Sequence, residues 1–158
     1  MQYLTALSQN APLMCAVINW FVAQVLKTFL HTIVTRSFIP ERLVGTGGMP
    51  SSHSATVCGL ATAIFMKEGP QSAEFAVAAI LAGVVMYDAL GIRRQAGKHA
   101  QIINEMIENV DSFQTIDWES LSPDERLKEF LGHTPLQVLM GMILGIVLSL
   151  LLCTTVFA

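Results

Sequence analysis

The sequence has few charged residues, no excess of basic residues and no even set of cysteines, and each shortage excludes a class of protein. Only 13% of the 158 residues are charged, about half the share of a typical soluble domain. The formal net charge of −3 argues against a sequence-independent nucleic-acid binder, because such proteins carry a basic patch. Three cysteines cannot form a complete disulfide framework. The 53% hydrophobic content and the mean hydropathy of +0.54 exclude a disordered chain and indicate a small integral membrane protein.

Four apolar segments divide the chain. They run from Pro12 to Val34, Ala55 to Met66, Phe75 to Met86 and Leu136 to Phe157. A helix of about 20 residues crosses the hydrocarbon core of a bilayer, so the second and third segments are short, and the third reaches Ile92 only if Asp88 is accommodated. The sequence therefore predicts a single all-α domain over residues 1–158, an integral membrane bundle of about four transmembrane helices.

The basic residues indicate how this bundle is oriented. With four spans, one face carries Arg36, Arg42, Arg93, Arg94, Lys98, Arg126 and Lys128. The other face carries only Lys67, so the positive-inside rule makes the first face cytoplasmic. Residues 1–10 contain no Lys or Arg and so lack the positive region of a signal peptide. We expect the first segment to be retained and the protein to lie in a bacterial inner membrane.

Residues 97–131 differ from the rest because they are polar and acidic. Apolar residues nevertheless recur there at helical spacing: Ile102, Ile103, Met106, Ile107, Val110 and Phe113. This pattern predicts a short amphipathic cytoplasmic helix, which would lie on the membrane surface or cap the bundle. The residues Ser122-Pro123-Asp124-Glu125 are typical of the start of a second short helix.

Polar side chains are costly in a membrane, so those near the ends of spans are candidates for function. The loop from Gly45 to Ser54 is one such region. Gly48 permits close backbone approach to a ligand. Ser51 or Ser52 can cap the helix that follows, whose first N–H groups form an anion site. His53 would lie in the first turn, where it could exchange a proton with the bound anion.

Two further regions on the same face add positive charge. The first helix carries Lys27, followed by Arg36, and the segment from Asp88 to His99 contains Arg93 and Arg94, whereas His31 on the first helix is expected to be a partner inside the bundle. Guanidinium groups suit bidentate binding of phosphate, and His99 supplies a second imidazole. Together these residues form a set suited to handling phosphate.

The motifs around these residues carry a resemblance to a known family. Pro50-Ser51-Ser52-His53 resembles the Pro-Ser-Gly-His signature of the type 2 phosphatidic acid phosphatases, a superfamily that also includes vanadium haloperoxidases. Arg93, five residues and His99 are similar in spacing to its Ser-Arg-x5-His motif. Gly-Gly-Met-Pro-Ser-Ser-His-Ser and Asp-x4-Arg-Arg-Gln-Ala-Gly are similar to the hallmarks of a short, divergent branch, and the likeness covers nearly the full chain.

The resemblance implies a membrane phosphatase that hydrolyses a phosphomonoester or diphosphate on a lipid or isoprenoid. It implies that His99 is the nucleophile and that His53 is the general acid, with Arg93 holding the phosphoryl group and no metal or cofactor. The phosphate-binding candidates are Lys27, Arg36, Gly48, Ser51, Ser52 and Arg94. Membrane lipids and the phosphorylated substrate are the expected partners, and a homodimer would supply the helices that this chain lacks relative to fuller members, which use about six.

Two of the positions that depart from the family pattern leave alternatives open. Val34 stands where the motif Lys-x6-Arg-Pro has its arginine, and Ile103 stands where the Asp that orients the nucleophile is expected. Asp88 would then orient a histidine, supply a carboxylate nucleophile, or form a structural ion pair with Lys27 or Arg94. The alternative function is a non-catalytic membrane protein that binds a phosphorylated lipid or partner. His133 is predicted to be a structural loop residue.

Overall fold

The computed structural model describes residues 2–37, 47–109 and 133–157. These residues form helices and no strand: α1 (Gln2–Ser8), α2 (Ala11–Thr35), α3 (Ser52–Glu68), α4 (Ala73–Leu90), α5 (Ile92–Asn109) and α6 (Pro135–Thr155). The architecture is the all-helical membrane bundle that the sequence predicts.

Three stretches of the described residues are long and apolar enough to span a membrane: Ala11–Thr35, Ala73–Met106 and Pro135–Thr155. The segment expected to form the second span differs. Its helix, α3, has 17 residues and a length of about 26 Å, less than the hydrocarbon core of about 30 Å. Because α3 packs against α2, α4 and α6, protein rather than lipid surrounds much of it, and it is the inner helix of the bundle.

Helices α3 and α6 run side by side in the same direction. A Cβ added at Gly141 would lie 2.3 Å from the Ser51 carbonyl oxygen, and one at Gly145 would lie 2.4 Å from that of Ala55. One end of this contact is closed by a hydrogen bond of 3.0 Å from the Ser51 N–H to the Gln137 carbonyl. Glycines spaced four residues apart permit this close approach of two membrane helices. Both helices therefore begin at the same end of the bundle.

One face of helix α2, which carries Asn19 and Lys27, is buried against the bundle. Asn19, Ala23 and Lys27 are spaced four residues apart and are 0%, 0% and 2% exposed. The Asn19 side chain donates a hydrogen bond of 2.8 Å to the Ser149 hydroxyl of α6. This bond fixes the rotation of α2, so Lys27, two turns further on, also points into the bundle.

The amphipathic helix predicted from the acidic region is present in part. Helix α5 begins at Ile92 and is described to Asn109. Ile102, Ile103 and Met106 on this helix are exposed, as a helix on a membrane surface requires. Val110, Phe113 and the predicted second helix start at Ser122 lie outside the described residues.

Candidate functional site

The glycine loop before α3 rests on the buried lysine of α2. Gly47 and Gly48 have φ angles of +83° and +84°, a left-handed conformation that glycine adopts without steric cost. A Cβ at Gly48 would lie 2.9 Å from both Cγ and Cδ of Lys27. The loop therefore covers the aliphatic part of the lysine, which needs a residue without a side chain at this position.

Ser51 and Ser52 begin α3 and are 0% and 5% exposed. Ser51 is the N-cap, and its hydroxyl oxygen accepts hydrogen bonds from the Ser54 N–H and the Ser54 hydroxyl at 3.4 Å and 3.1 Å. The Ser51 backbone N–H is already bonded to Gln137. The Ser51 N–H is therefore not available to bind phosphate. The N–H groups of Ser52 and His53, in the first turn of α3, have no acceptor within the helix and could do so.

Two imidazoles meet where α3 and α6 begin. The ring centroids of His53 and His133 are 6.1 Å apart, with an interplanar angle of 61°. His53 lies in the first turn of α3 and is partly buried, whereas His133 precedes α6 and is only 4% exposed. The site thus contains a pair of histidines that are 80 positions apart in the sequence.

His133 is held from two sides. Its backbone N–H donates a hydrogen bond of 3.2 Å to the carbonyl of Ala89, at the end of α4. Its ring Nδ1 lies 3.2 Å from the Gln137 Oε1. The same Oε1 accepts a hydrogen bond of 3.0 Å from the Thr134 N–H, completing the capping box of α6. The start of α6 and the orientation of the histidine ring therefore depend on one amide oxygen.

Cationic side chains surround the pair. Burial lowers the pKa of His53, and the charges of Arg93 and Lys27 lower it further, while the Asp88 carboxylate opposes them. Burial also lowers the pKa of His133, and the charges of His53, Lys27 and Arg93 act in the same direction, whereas the hydrogen bond that the ring donates to Gln137 raises it. An environment that disfavours further positive charge on imidazole favours the binding of an anion.

Asp88 and Arg93 form an ion pair through the Asp88 Oδ2 and the Arg93 Nε. The sequence expectation named Lys27 or Arg94 as the ion-pair partner of Asp88, and the structure adds Arg93. The reason is local, because Asp88 and Arg93 are five residues apart on either side of Gly91, the C-cap of α4. Both are partly exposed, at 33% and 50%, so the guanidinium is held near the histidines with access to solvent.

The structure brings seven of the candidate residues together: Lys27, Gly48, Ser51, Ser52, His53, Asp88 and Arg93. Arg94 and His99 lie on α5 with exposed side chains. The charges that shift the pKa values of His53 and His133 do not include those of Arg94 and His99. Arg36 is the exposed C-cap of α2, nine residues and about 13 Å along the helix axis from Lys27.

His133 and Gln137 border the candidate site, where the sequence did not predict them. His133 was expected to be a structural loop residue; it does lie before α6, outside the helix, and it also faces His53. A signal was available in the sequence. Thr134-Pro135-x-Gln137 is the pattern of a capped helix start, and the predicted topology places that start on the same membrane face as Ser51.

The chain is similar to known proteins along most of its length. A model of the divergent PAP2 family matches residues 8–148. An uncharacterized membrane protein of Bacillus subtilis (strain 168), YuiD, is 40% identical over 148 residues, which cover 90% of this chain and 94% of that protein. No solved structure matches the chain.

Proposed function

The chain belongs to the divergent PAP2 family, and on this premise we propose that it is a membrane phosphatase. Its substrate is a phosphomonoester or diphosphate carried by a lipid or an isoprenoid. The observation that carries the proposal is the pair of imidazoles, 6.1 Å apart, set among Lys27 and Arg93. This combination supplies both the charge and the proton transfer that phosphate ester hydrolysis needs.

The cationic groups are suited to bind the phosphoryl group. In phosphoryl transfer the negative charge is spread over three equatorial oxygens, and catalysis consists largely of positioning and charge stabilisation. The guanidinium of Arg93 can bind two of these oxygens at once. Lys27 adds a buried positive charge, and the N-terminus of α3 adds the N–H groups of Ser52 and His53.

His53 is suited to protonate the leaving oxygen. It lies in the first turn of α3, beside the groups that would hold phosphate, and it is partly exposed, so it can exchange its proton with water. A positioned general acid contributes about 10²- to 10⁴-fold to the rate. Attack on phosphorus needs a second imidazole, as the nucleophile. A metal ion has no assigned part in this scheme, because Lys27 and Arg93 supply the positive charge.

The location of the site suits a substrate that remains in the bilayer. The histidines lie where α3 and α6 begin, at one end of the bundle. The helices around them expose apolar side chains on their outer faces, among them Phe29, Val84 and Leu139. A lipid headgroup could therefore reach the site while its chains stay in the membrane. We propose that this end faces the cytoplasm of a bacterial cell, as the distribution of basic residues predicts.

The test is phosphate release by the purified protein in mixed micelles containing phosphatidate, phosphatidylglycerophosphate or a prenyl diphosphate, with and without EDTA. We expect release that survives EDTA and falls at least 100-fold in His53→Asn. His31→Asn is the matched control, because His31 lies on α2 and faces Thr35 rather than the site. Absence of release by folded protein from all three substrates would refute the proposal. Binding without turnover would then be the favoured function.

A further inference from the structure

A reaction at this site needs two imidazoles that reach one phosphoryl group from opposite sides. The attacking nitrogen lies about 3–3.5 Å from phosphorus, and the acid lies about 3 Å from the leaving oxygen. The two reacting nitrogen atoms must then be on the order of 6–8 Å apart. The ring centroids of His53 and His133 are 6.1 Å apart, so both rings are close enough to reach one phosphoryl group.

The hydrogen bonds of His133 define which ring nitrogen carries its proton. The Thr134 N–H can only donate, so the side-chain atom of Gln137 that faces it at 3.0 Å is the amide oxygen. That oxygen can only accept, so the His133 Nδ1, 3.2 Å away, must donate to it. In the neutral ring the lone pair is therefore on Nε2.

We propose that His133, rather than the motif-spaced His99, is the imidazole that attacks phosphorus, and that Gln137 is the residue that positions it. The proposal rests on the phosphatase function proposed above. His133 is buried beside His53, whereas the side chain of His99 is exposed on α5. Gln137 lies four residues after His133, the separation at which the family motif is expected to place an Asp after its nucleophile.

The environment of His133 keeps it in the nucleophilic form. Burial and the nearby charges of His53, Lys27 and Arg93 lower its pKa, so the ring remains neutral under conditions in which an exposed imidazole would take up a proton. The hydrogen bond to Gln137 opposes this shift, but a neutral amide opposes it less than a charged group would. A carboxylate in its place would hold the proton of an imidazolium more tightly.

The reaction then proceeds in two balanced steps. The His133 Nε2 forms a bond to phosphorus, the bond from phosphorus to the leaving oxygen breaks, and His53 gives that oxygen its proton. Water next attacks the phosphohistidine, His53 takes a proton from this water, and the phosphorus–nitrogen bond breaks to release phosphate. His133 recovers its lone pair, and His53 is again protonated.

The direct test is to trap the phosphohistidine. A substrate labelled with ³²P in its terminal phosphate is mixed with full-length protein, the reaction is stopped in alkali, and the labelled peptide is mapped by mass spectrometry. We expect the label on His133. Label on His99 would overturn the proposal. Because this measurement uses the unmodified protein, it does not depend on whether any variant folds.

Variants provide a second test. We expect His133→Asn to lose at least about 10³-fold in phosphate release and His99→Asn to stay within about threefold of the wild type. The reverse pattern would overturn the assignment while leaving the phosphatase function intact. If the folded wild type released no phosphate from any substrate, the phosphatase function itself would fail, and the assignment of His133 with it.

The positioning role of Gln137 has its own readout. Gln137→Glu keeps an acceptor for His133 but adds a negative charge, so we expect the acid limb of the kcat/KM profile to move to higher pH. Gln137→Leu removes the acceptor, and we expect kcat to fall while KM changes little. Thr134→Ala is the matched control, because it removes the cap hydroxyl but leaves Gln137 in place. If all three variants lost activity in proportion to stability and none shifted the pH profile, Gln137 would be only a helix cap.

Discussion

The parallel contact of α3 and α6 makes a sharp prediction for Gly141→Ala. The new methyl carbon would lie 2.3 Å from the carbonyl oxygen of Ser51, about 1 Å closer than an ordinary contact allows. Backbone rather than a flexible side chain opposes it, so the two helices must separate. Overpacking of this kind costs about 1–3 kcal/mol, a factor of about 5 to 150 in the ratio of folded to unfolded protein.

The same shift should also reduce the activity of the protein that remains folded. Ser51 and Gln137 lie at the contact that would open, and they are adjacent to the two imidazoles. A misplacement of about 1 Å can cost about 10²-fold in rate. We therefore expect Gly141→Ala to lower the unfolding temperature in detergent and to reduce phosphate release about 10- to 100-fold.

Gly83→Ala is the matched control for this experiment. Gly83 is also in a helix, but no atom lies within 4 Å of an added Cβ, so the substitution should stabilise α4 by about 0.5–1 kcal/mol. Thermal unfolding and phosphate release measured on both variants separate the steric effect from the general effect of alanine in a helix. Equal behaviour of the two variants would refute the argument from the helix contact.

Further predictions concern charge, pH and assembly. Lys27→Met should weaken inhibition by inorganic phosphate at least about tenfold, whereas Lys98→Met, an exposed control, should leave it unchanged. Bound phosphate adds negative charge beside His53 and His133 and so raises their pKa values. The alkaline limb of kcat should therefore lie at higher pH than that of kcat/KM, and coincident limbs would contradict this. Because folding lowers the pKa of both histidines, the unfolded chain binds protons more readily, so stability should fall as the pH drops through the unfolded value of about 6.5. Thermal unfolding at pH 5 and pH 8 should show this loss, and the double variant His53→Asn/His133→Asn should not. Finally, a homodimer predicts a detergent-corrected mass near twice 17.2 kDa, and a monomer would exclude it.

The long spans could be predicted from sequence because a helix must contain about 20 apolar residues to cross the bilayer. The segment predicted from Pro12 to Val34 forms the helix Ala11–Thr35, and the segment from Leu136 to Phe157 begins with Pro135 and ends at Thr155. Helix α3 could not be classified in this way. Its apolar segment is the same in character whether lipid or protein surrounds it, and only the packing of α2, α4 and α6 against it decides.

The site was predictable where its residues are close in sequence. The loop from Gly48 to His53 contains both the serine that caps α3 and the N–H groups that could bind an anion, so its candidate role as a phosphate-binding loop can be predicted from adjacent residues. His133 was not predictable by the same reasoning, because its contact with His53 depends on the approach of α6 to α3. That approach requires the absence of side chains at Gly141 and Gly145. The spacing between Arg93 and a later histidine gives no information about this helix contact.

The way in which His133 is held bears on how such a site can change over evolution. Its ring is oriented by Gln137 and its backbone is bonded to Ala89, so the described hydrogen bonds that define its position come from α4 and α6. Here 39 residues separate it from Arg93, compared with five in the motif that the sequence resembles. Insertions and deletions ahead of the histidine would leave the two rings where they are. Related sequences are therefore better aligned at this site by the helix start that carries His133 than by its spacing from the arginine.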